Sequence, residues 1–224
     1  MSDGFDGFPA GGLEFLTELG SQDKVWFDAH RAPYRSEVAQ PAKDFVVALT
    51  EALHAEISEG IVGQPKVNGS IAPINNDLRF NPDASPYKDH LMFRFWEGPD
   101  KKTAPMLMIR MGEVDTGFAT GMAFPSVDRW REAVAGPQGA SLEEALRRLG
   151  EERELDVVGE ELKRVPKPWE PDHPRAALLR RKGLQARWLE PTPESVSSPG
   201  FVDWCAQRLG ACADVHNWLL ANLS

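Results

Sequence analysis

The 224-residue sequence lacks the features that define several common functional classes. No apolar run approaches the ~20 residues that a membrane-spanning helix needs. No segment concentrates Lys and Arg as a nucleic-acid-binding surface would. The glycine-rich loops of P-loop and dinucleotide-binding proteins and the G-x-S-x-G motif of α/β-hydrolases are also absent. The sequence therefore predicts no membrane partner, no nucleic-acid partner and no nucleotide loop.

Cysteine is scarce, because Cys205 and Cys212 are the only two and both fall in the last predicted helix. Seven residues along one helix separate them by ~10.5 Å, whereas disulfide-bonded Cα atoms lie within ~7 Å of each other. We therefore predict two buried free thiols, which suits a reducing cytoplasm. His216 follows Cys212 by four residues, but without further ligands nearby, core packing is favoured over a metal site. We predict no metal and no other cofactor.

Large hydrophobic side chains are plentiful, since 42% of the residues are hydrophobic, including 7 Trp and 11 Phe. A chain of this length and composition fills one core. We predict a single α+β domain over residues 1–224, in which the acidic, glycine-rich residues 1–12 form a flexible N-terminal segment. That segment lacks the basic start and apolar centre of a signal peptide, so the predicted location is cytoplasmic.

Three strand-like runs occupy residues 91–96, 106–111 and 114–122. Gly112-Glu113, between the last two runs, predicts a two-residue type II′ hairpin. Helical periodicity is found on both sides of these runs. The predicted fold is therefore α+β, with an antiparallel β-meander sheet packed with flanking N- and C-terminal helices.

Polar residues before apolar runs predict where several helices begin. Ser21 is the predicted N-cap of the second helix, and Ser126 caps a helix that contains Trp130. Ser141 begins a capping-box pattern, which predicts a helix start there. Residues 198–220 are predicted to form one amphipathic helix.

Alternation along the predicted strands places two arginines on one face of the sheet. Arg94 and Arg110 share this face with small residues of the third strand, among them Gly117 and Gly121. Glycine inside a strand marks the close approach of a ligand or of another backbone. A hollow beside an arginine would accept a carboxylate or a phosphate. The alternatives are an ion pair between Arg110 and Asp115, and a helix packed over the small residues.

The stretch NNDLRFNPDASPYKDH, residues 75–90 and called the motif loop below, is polar and leads directly into the first apolar strand. We predict that Arg79, Lys88 and Arg94 bind an anion and that Tyr87 donates a hydrogen bond to it. Asp77 is the candidate orienting group or general base. Together with Arg110, these residues define a predicted site that binds, or acts on, a small acidic molecule.

A non-enzymatic role in structure or protein interaction is the alternative. In that case Asp77 pairs with Arg79 or Lys88, Asp83 caps a type I turn at Asn81-Pro82, and the aromatic rings of Phe80 and Tyr87 pack beneath the loop. The motif loop then only latches onto the sheet.

A metal site is a third arrangement of the same stretch. It takes as ligands Asp77, Asp83, Asp89 and His90. It is disfavoured because the spacing matches no known metal motif and because Arg79 and Lys88 would repel a cation.

The segments FLTELGSQDKVWFDAHRAPYRSEVAQP (15–41) and RVPKPWEPDHPRAALLRRKGL (164–184), together with the motif loop, resemble the bacterial conserved-hypothetical proteins grouped as domain of unknown function 2461. The signature of that family is Arg-x-x-Arg-Asp-x-Arg-Phe, followed by Asp-Lys and Ser-Pro-Tyr-Lys. This sequence keeps Asp77, Arg79, Phe80, Asp83, Ser85, Pro86, Tyr87 and Lys88. It departs at Pro73, Asn76 and Ala84, where basic residues are expected. The resemblance implies a fold and a motif rather than a reaction, and the three missing charges bear on anion binding.

Overall fold

The computed structural model of the protein describes residues 4–79 and 83–223 and has the predicted α+β architecture. Six strands form one antiparallel sheet in the order β1-β2-β3-β4-β6-β5, with helices flanking it. The strands are β1 (Ile61–Val62), β2 (Leu91–Glu97), β3 (Met106–Met111), β4 (Asp115–Ala123), β5 (Asp156–Val158) and β6 (Gly183–Pro191).

The helices precede and follow the meander of β1 to β4. The N-terminal helices are α1 (Ala10–Leu19), α2 (Lys24–Ala29), α3 (Arg31–Pro33) and α4 (Gln40–Glu56), with a π-helical segment at Tyr34–Ala39. The later helices are α5 (Val127–Ala135), α6 (Gln138–Gly150), α7 (Ala176–Leu179), α8 (Gly200–Gly210) and α9 (Ala213–Leu223). A short 3-10 helix spans Glu194–Ser197.

Burial alternates along β2 and β3 as the sequence predicts. On β3, Leu107 and Ile109 are fully buried, whereas Met108 and Arg110 on the other face are half-buried. Arg94 is half-buried in the same way on β2. The predicted two-faced strands are confirmed, because apolar residues at every second position require one face to lie against the core.

The hairpin between β3 and β4 closes one residue later than predicted. Gly112 N donates to the carbonyl oxygen of Asp115 at 2.9 Å, so Glu113 and Val114 occupy the turn. The predicted type II′ turn needed a positive φ at Gly112, which is not among the glycines with positive φ. The hydroxyl of Thr192 also binds the carbonyl oxygen of Gly112, at 2.9 Å, and helps to hold the turn.

Several helix starts and ends differ from the predictions. Asp23, not Ser21, caps α2, because its carboxylate accepts the N–H of Trp26 at 2.9 Å. Ser141 lies inside α6 and its hydroxyl donates to the carbonyl oxygen of Gln138, so the helix begins before the predicted capping box. The predicted Ser126 cap is confirmed, since its hydroxyl accepts the N–H of Arg129.

The predicted C-terminal helix is two helices, α8 and α9, with a turn at Ala211-Cys212. Cys205 and Cys212 therefore do not lie on one helix, and the helical spacing used to separate them does not apply. Both are nevertheless buried free thiols, as predicted.

The chain divides into two compact units. Unit 1 comprises the chain up to Phe95, then Met108–Gly117 and Leu189–Arg208. Unit 2 comprises Trp96–Leu107, Phe118–Trp188 and the chain from Leu209 onward. The prediction of one domain stays a prediction.

Aromatic rings fill the core of unit 1. Phe45 lies 4.9 Å from Phe93 and 5.4 Å from Phe201, measured between ring centroids. Phe5 and Phe8 of the N-terminal segment join this cluster, at 5.2 and 5.4 Å from Phe45. Their burial argues against flexibility for residues 4–12, because buried aromatic side chains tie down a terminus.

Trp130 is the centre of the unit 2 core. It is fully buried, stacks on Phe124 at 4.1 Å and meets Trp218 edge-on at 5.7 Å. Its indole N–H donates to the carbonyl oxygen of Leu178 at 2.9 Å, which satisfies the one polar atom of the side chain.

Candidate functional site

All the predicted site residues belong to unit 1, where the backbone folds the motif loop back on itself. Ile74 O accepts the N–H of Lys88 at 2.8 Å, and Asn76 N donates to Pro86 O at 2.9 Å. An antiparallel bridge joins Asn75 to Tyr87 between these two hydrogen bonds. The two arms of the motif loop are therefore fixed to each other just before β2 begins. The predicted type I turn begins at Asn81-Pro82, and these two residues lie outside the described residues.

Side chains of Asn76 and Lys88 reinforce this closure. The amide of Asn76 donates to Ser85 O at 2.8 Å and to Tyr87 O at 3.0 Å. Lys88 Nζ donates to Pro73 O at 2.7 Å and to Asn75 O at 2.5 Å. Both side chains therefore help to close the loop, through backbone contacts that the latch alternative did not specify.

Asp77 and Arg79 form an exposed ion pair with each other. Arg79 Nε lies 2.9 Å from Asp77 Oδ1 and its Nη2 lies 2.6 Å from Oδ2. The arginine side chain is 81% exposed. The hydrogen bonds from the side chain and the backbone of Arg79 lower the pKa of Asp77. Its lowered pKa and its pairing with Arg79 make this carboxylate a weak general base, and the catalytic role of Asp77 stays a prediction.

Tyr87 packs as a core residue. It is 5% exposed, and its ring lies 5.0 Å from the ring of Phe27 on α2. This position matches the packing role of the latch alternative. Phe80, the other aromatic residue of that alternative, lies outside the described residues.

Arg94 is placed differently from the other predicted residues. It is half-buried, and its guanidinium makes no hydrogen bond or ion pair within residues 4–79 and 83–223. Its charge nevertheless affects Lys88. Burial is the larger cause of the lowered pKa of Lys88, and the positive charge of Arg94 is the smaller one. The two positive charges therefore interact with each other, and neither forms an ion pair with a carboxylate of the described residues.

Arg110 belongs to a four-membered charged cluster at the end of the β3–β4 hairpin. Its Nη1 binds the carboxylate of Asp115, as the predicted ion pair required, and its Nη2 lies 3.8 Å from Asp89 Oδ1. Asp89 Oδ1 lies 2.6 Å from Nδ1 of His90. The hydrogen bond from His90 is the main reason why the pKa of Asp89 is lowered.

His90, which the sequence analysis considered only as a possible metal ligand, belongs to this charged cluster. Burial is the largest cause of the lowered pKa of His90. The positive charges of Arg110 and Lys88 lower this pKa further, whereas Asp89 raises it. The sequence contained a signal, because positions 88, 90, 92 and 94 alternate as strand residues on one face do.

The metal alternative finds no support in the described part of the chain. No group of three or more His, Cys, Asp or Glu residues there could hold an ion. Two of the four residues considered already make hydrogen bonds. Asp77 accepts from Arg79, and Asp89 accepts from His90.

Gly121, one of the small residues of the predicted hollow, lies in unit 2 against the backbone of β6. A Cβ atom placed on Gly121 would lie 2.0 Å from the carbonyl oxygen of Leu184 on β6. At this position the glycine therefore permits the approach of another backbone rather than of a ligand.

Comparison with protein families identifies the chain, because residues 12–218 match the conserved hypothetical proteins designated DUF2461. The protein is a member of the DUF2461 family. No curated protein and no solved structure matches the sequence. Among the described residues of this DUF2461 protein, no helix is long and apolar enough to cross a membrane.

Two positions where this member departs from the DUF2461 signature take part in loop closure. The carbonyl oxygen of Pro73 accepts from Lys88, and the amide of Asn76 bridges to the opposite arm. The third, Ala84, is half-buried near the tip. The substitutions at positions 73 and 76 are therefore compatible with a closed motif loop.

Proposed function

We propose that this DUF2461 protein binds a small acidic ligand at the sheet face that carries Arg94 and Arg110, next to Lys88. The observation that carries the proposal is the Arg94 guanidinium, half-buried beside Lys88 with no counter-ion from the described residues. Partly buried like charges raise the free energy of the folded protein, and an anion placed between them lowers it.

The charges around this position favour an anion. Lys88, Arg94 and Arg110 supply three positive charges, whereas Asp89 and Asp115 supply two negative ones, both next to Arg110. The excess positive charge therefore lies on the Arg94 side. Guanidinium groups bind carboxylate and phosphate through paired hydrogen bonds, which makes Arg94 the expected anchor.

Thermal unfolding in the presence of sulfate, phosphate and succinate tests the proposal, with sodium chloride at matched ionic strength as the reference. A ligand at ten times its Kd stabilises by about 1.4 kcal/mol, or about 3–6 °C in Tm for a chain of this size. We expect this shift in the wild type and in Arg79→Gln, because Arg79 pairs with Asp77 on the surface. We expect Arg94→Gln to lose it. An equal shift in Arg94→Gln, or no shift in the wild type with any of the three anions, contradicts the proposal.

A second candidate function is purely structural, and the side chain of Asn76 favours it. Its amide must donate to two carbonyl oxygens, which a carboxylate of the same shape cannot do. Asn76→Asp should therefore lower the free energy of unfolding by about 1–3 kcal/mol. Asn217→Asp, at an exposed position of α9, is the control. If Asn76→Asp destabilises and no anion stabilises the wild type, the motif loop acts as a latch only.

A further inference from the structure

His90 occupies the junction between the motif loop and β2, where charged groups from three strand regions act on it. Asp89 and Lys88 belong to its own segment, Arg110 comes from β3, and Asp115 from β4 binds Arg110. The residue that caps the C-terminal end of α1, Gly20, also lies close to Asp89. A Cβ atom on Gly20 would be 2.7 Å from that of Asp89, so glycine places no side chain there.

The hydrogen bond to Asp89 fixes which nitrogen of His90 carries a proton. Asp89 has a lowered pKa, so at neutral pH it is ionised and can only accept. Nδ1, 2.6 Å away, must therefore donate. A second proton can then bind only at Nε2, which makes no hydrogen bond among the residues that the structure describes. The side chain is 18% exposed, so solvent can supply that proton.

The charge balance of the cluster depends on the state of His90. With His90 neutral, the three cations and two carboxylates named above leave one net positive charge, which matches a singly charged anion. A doubly charged oxyanion, such as a sulfate or a phosphate-ester group, leaves one negative charge unbalanced. Protonation of His90 supplies the missing positive charge.

Resting on the proposed function, we infer that His90 is a fourth basic group of the anion site and takes up one proton at Nε2 when a doubly charged oxyanion binds. The proton comes from solvent, and no covalent bond other than N–H forms or breaks. In the free protein, the positive charges of Arg110 and Lys88 oppose protonation of His90. A bound oxyanion offsets these charges. The site is thereby suited to phosphate-ester and sulfate groups over single carboxylates.

Calorimetric titration with sulfate, which does not titrate near neutral pH, tests this inference. Titrations at one pH in buffers of different ionisation enthalpy count the protons taken up. We expect uptake of up to one proton per sulfate, and an affinity that rises up to tenfold for each unit by which the pH falls from 8 to 6. Perchlorate, a singly charged oxyanion with the same tetrahedral shape as sulfate, should bind without proton uptake.

Two variants separate failure of this inference from failure of the proposed function. His90→Gln should bind sulfate with an affinity independent of pH, whereas Arg94→Gln should not bind it. Binding of sulfate to the wild type without proton uptake, or the same uptake in His90→Gln, overturns the inference and leaves the proposed function standing. Absence of sulfate binding to the wild type overturns the inference, and absence of binding by sulfate, phosphate and succinate alike overturns both.

If His90→Gln does not fold, nuclear magnetic resonance of the wild type provides the same test. The imidazole signal of His90 is followed against pH with and without sulfate. Sulfate should raise the pKa of His90. An unchanged pKa in a protein that binds sulfate overturns the inference.

Discussion

Nζ of Lys88 lies 2.5 Å from the carbonyl oxygen of Asn75, on the opposite arm of the motif loop. The same atom reaches Pro73 O at 2.7 Å, so one ammonium group closes the loop at two points. Hydrogen bonds from a charged donor are stronger than those between neutral groups, and a carbonyl that loses its partner adds a further cost.

Lys88→Met tests the contribution of this ammonium group to stability. Methionine keeps most of the aliphatic stem but donates nothing, so we expect the free energy of unfolding to fall by about 1–3 kcal/mol. Urea unfolding followed by tryptophan fluorescence measures the change. Lys43→Met, at an exposed position of α4, is the control and should change stability by less than about 0.5 kcal/mol. Equal losses in both variants would show that the two hydrogen bonds contribute nothing specific.

Gly121→Ala should be strongly destabilising. The new methyl group would overlap the backbone of β6, 2.0 Å from Leu184 O and 2.8 Å from Gln185 Cα, and a paired strand cannot move aside without losing hydrogen bonds. We expect a loss of about 3 kcal/mol or more, or failure to accumulate as folded protein. Gly4→Ala, with no atom within 4 Å of the new methyl group, serves as the control. Urea midpoints that are equal in the two variants would contradict this packing.

His216 should make the protein less stable in acid. It is fully buried, and burial lowers its pKa although the carboxylate of Glu97, 3.2 Å from Nε2, opposes that effect. The unfolded chain therefore binds the proton first. The free energy of unfolding falls once the pH drops below the ordinary value of about 6.5, and it keeps falling until the lowered pKa is reached.

The pH dependence of urea unfolding in wild type and His216→Gln measures this contribution. The wild type should lose more stability between pH 7 and pH 5 than the variant does, by at most ~1.4 kcal/mol per pH unit. Parallel pH profiles would show that His216 does not titrate differently in the folded and unfolded states.

The two thiols should be unreactive in the folded protein. Burial raises the pKa of Cys212 to about 12 and raises that of Cys205 well above its ordinary value, so very little of the nucleophilic thiolate is present at pH 8. A disulfide reagent such as dithionitrobenzoate should label neither thiol in buffer and both in guanidinium chloride. Rapid labelling of either thiol without denaturant would contradict the burial.

Local patterns predicted much of the fold because the interactions behind them are local. The alternation of Leu107 and Ile109 with Arg110 sets the faces of β3, and Ser126 caps α5 three residues before its partner N–H. Asp23 and Ser21 both satisfy the sequence rule for an N-cap, and only the geometry of the turn selects Asp23. Gly210 ends α8 just before the break, but the apolar stripe that continues through Cys212 and Leu219 concealed this stop signal.

The candidate site was harder to predict because its contacts join distant positions. The ion pair of Arg110 with Asp115 was predicted as an alternative, and it forms although the hairpin turn closes one residue later than predicted. By contrast, Lys88 binds a carbonyl oxygen 15 residues away, and no side-chain pattern marks a backbone acceptor. Tyr87 is buried partly by Phe27 of α2, which lies far earlier in the chain, and the sequence around Tyr87 does not reveal this contact.

The packing of the N-terminal segment has a consequence for how the protein reaches its fold. Phe8 N donates to the carbonyl oxygen of Val196, and the Phe8 ring lies 6.1 Å from that of Phe201. Unit 1 is thus assembled from pieces almost 190 residues apart in the chain. Loop closure over such distances slows folding, and during synthesis Val196 and Phe201 emerge long after Phe8 and its nearer partner Phe45. Phe5 and Phe8 can therefore meet Phe45 early in synthesis, but the aromatic cluster of unit 1 is completed only after Phe201 has emerged.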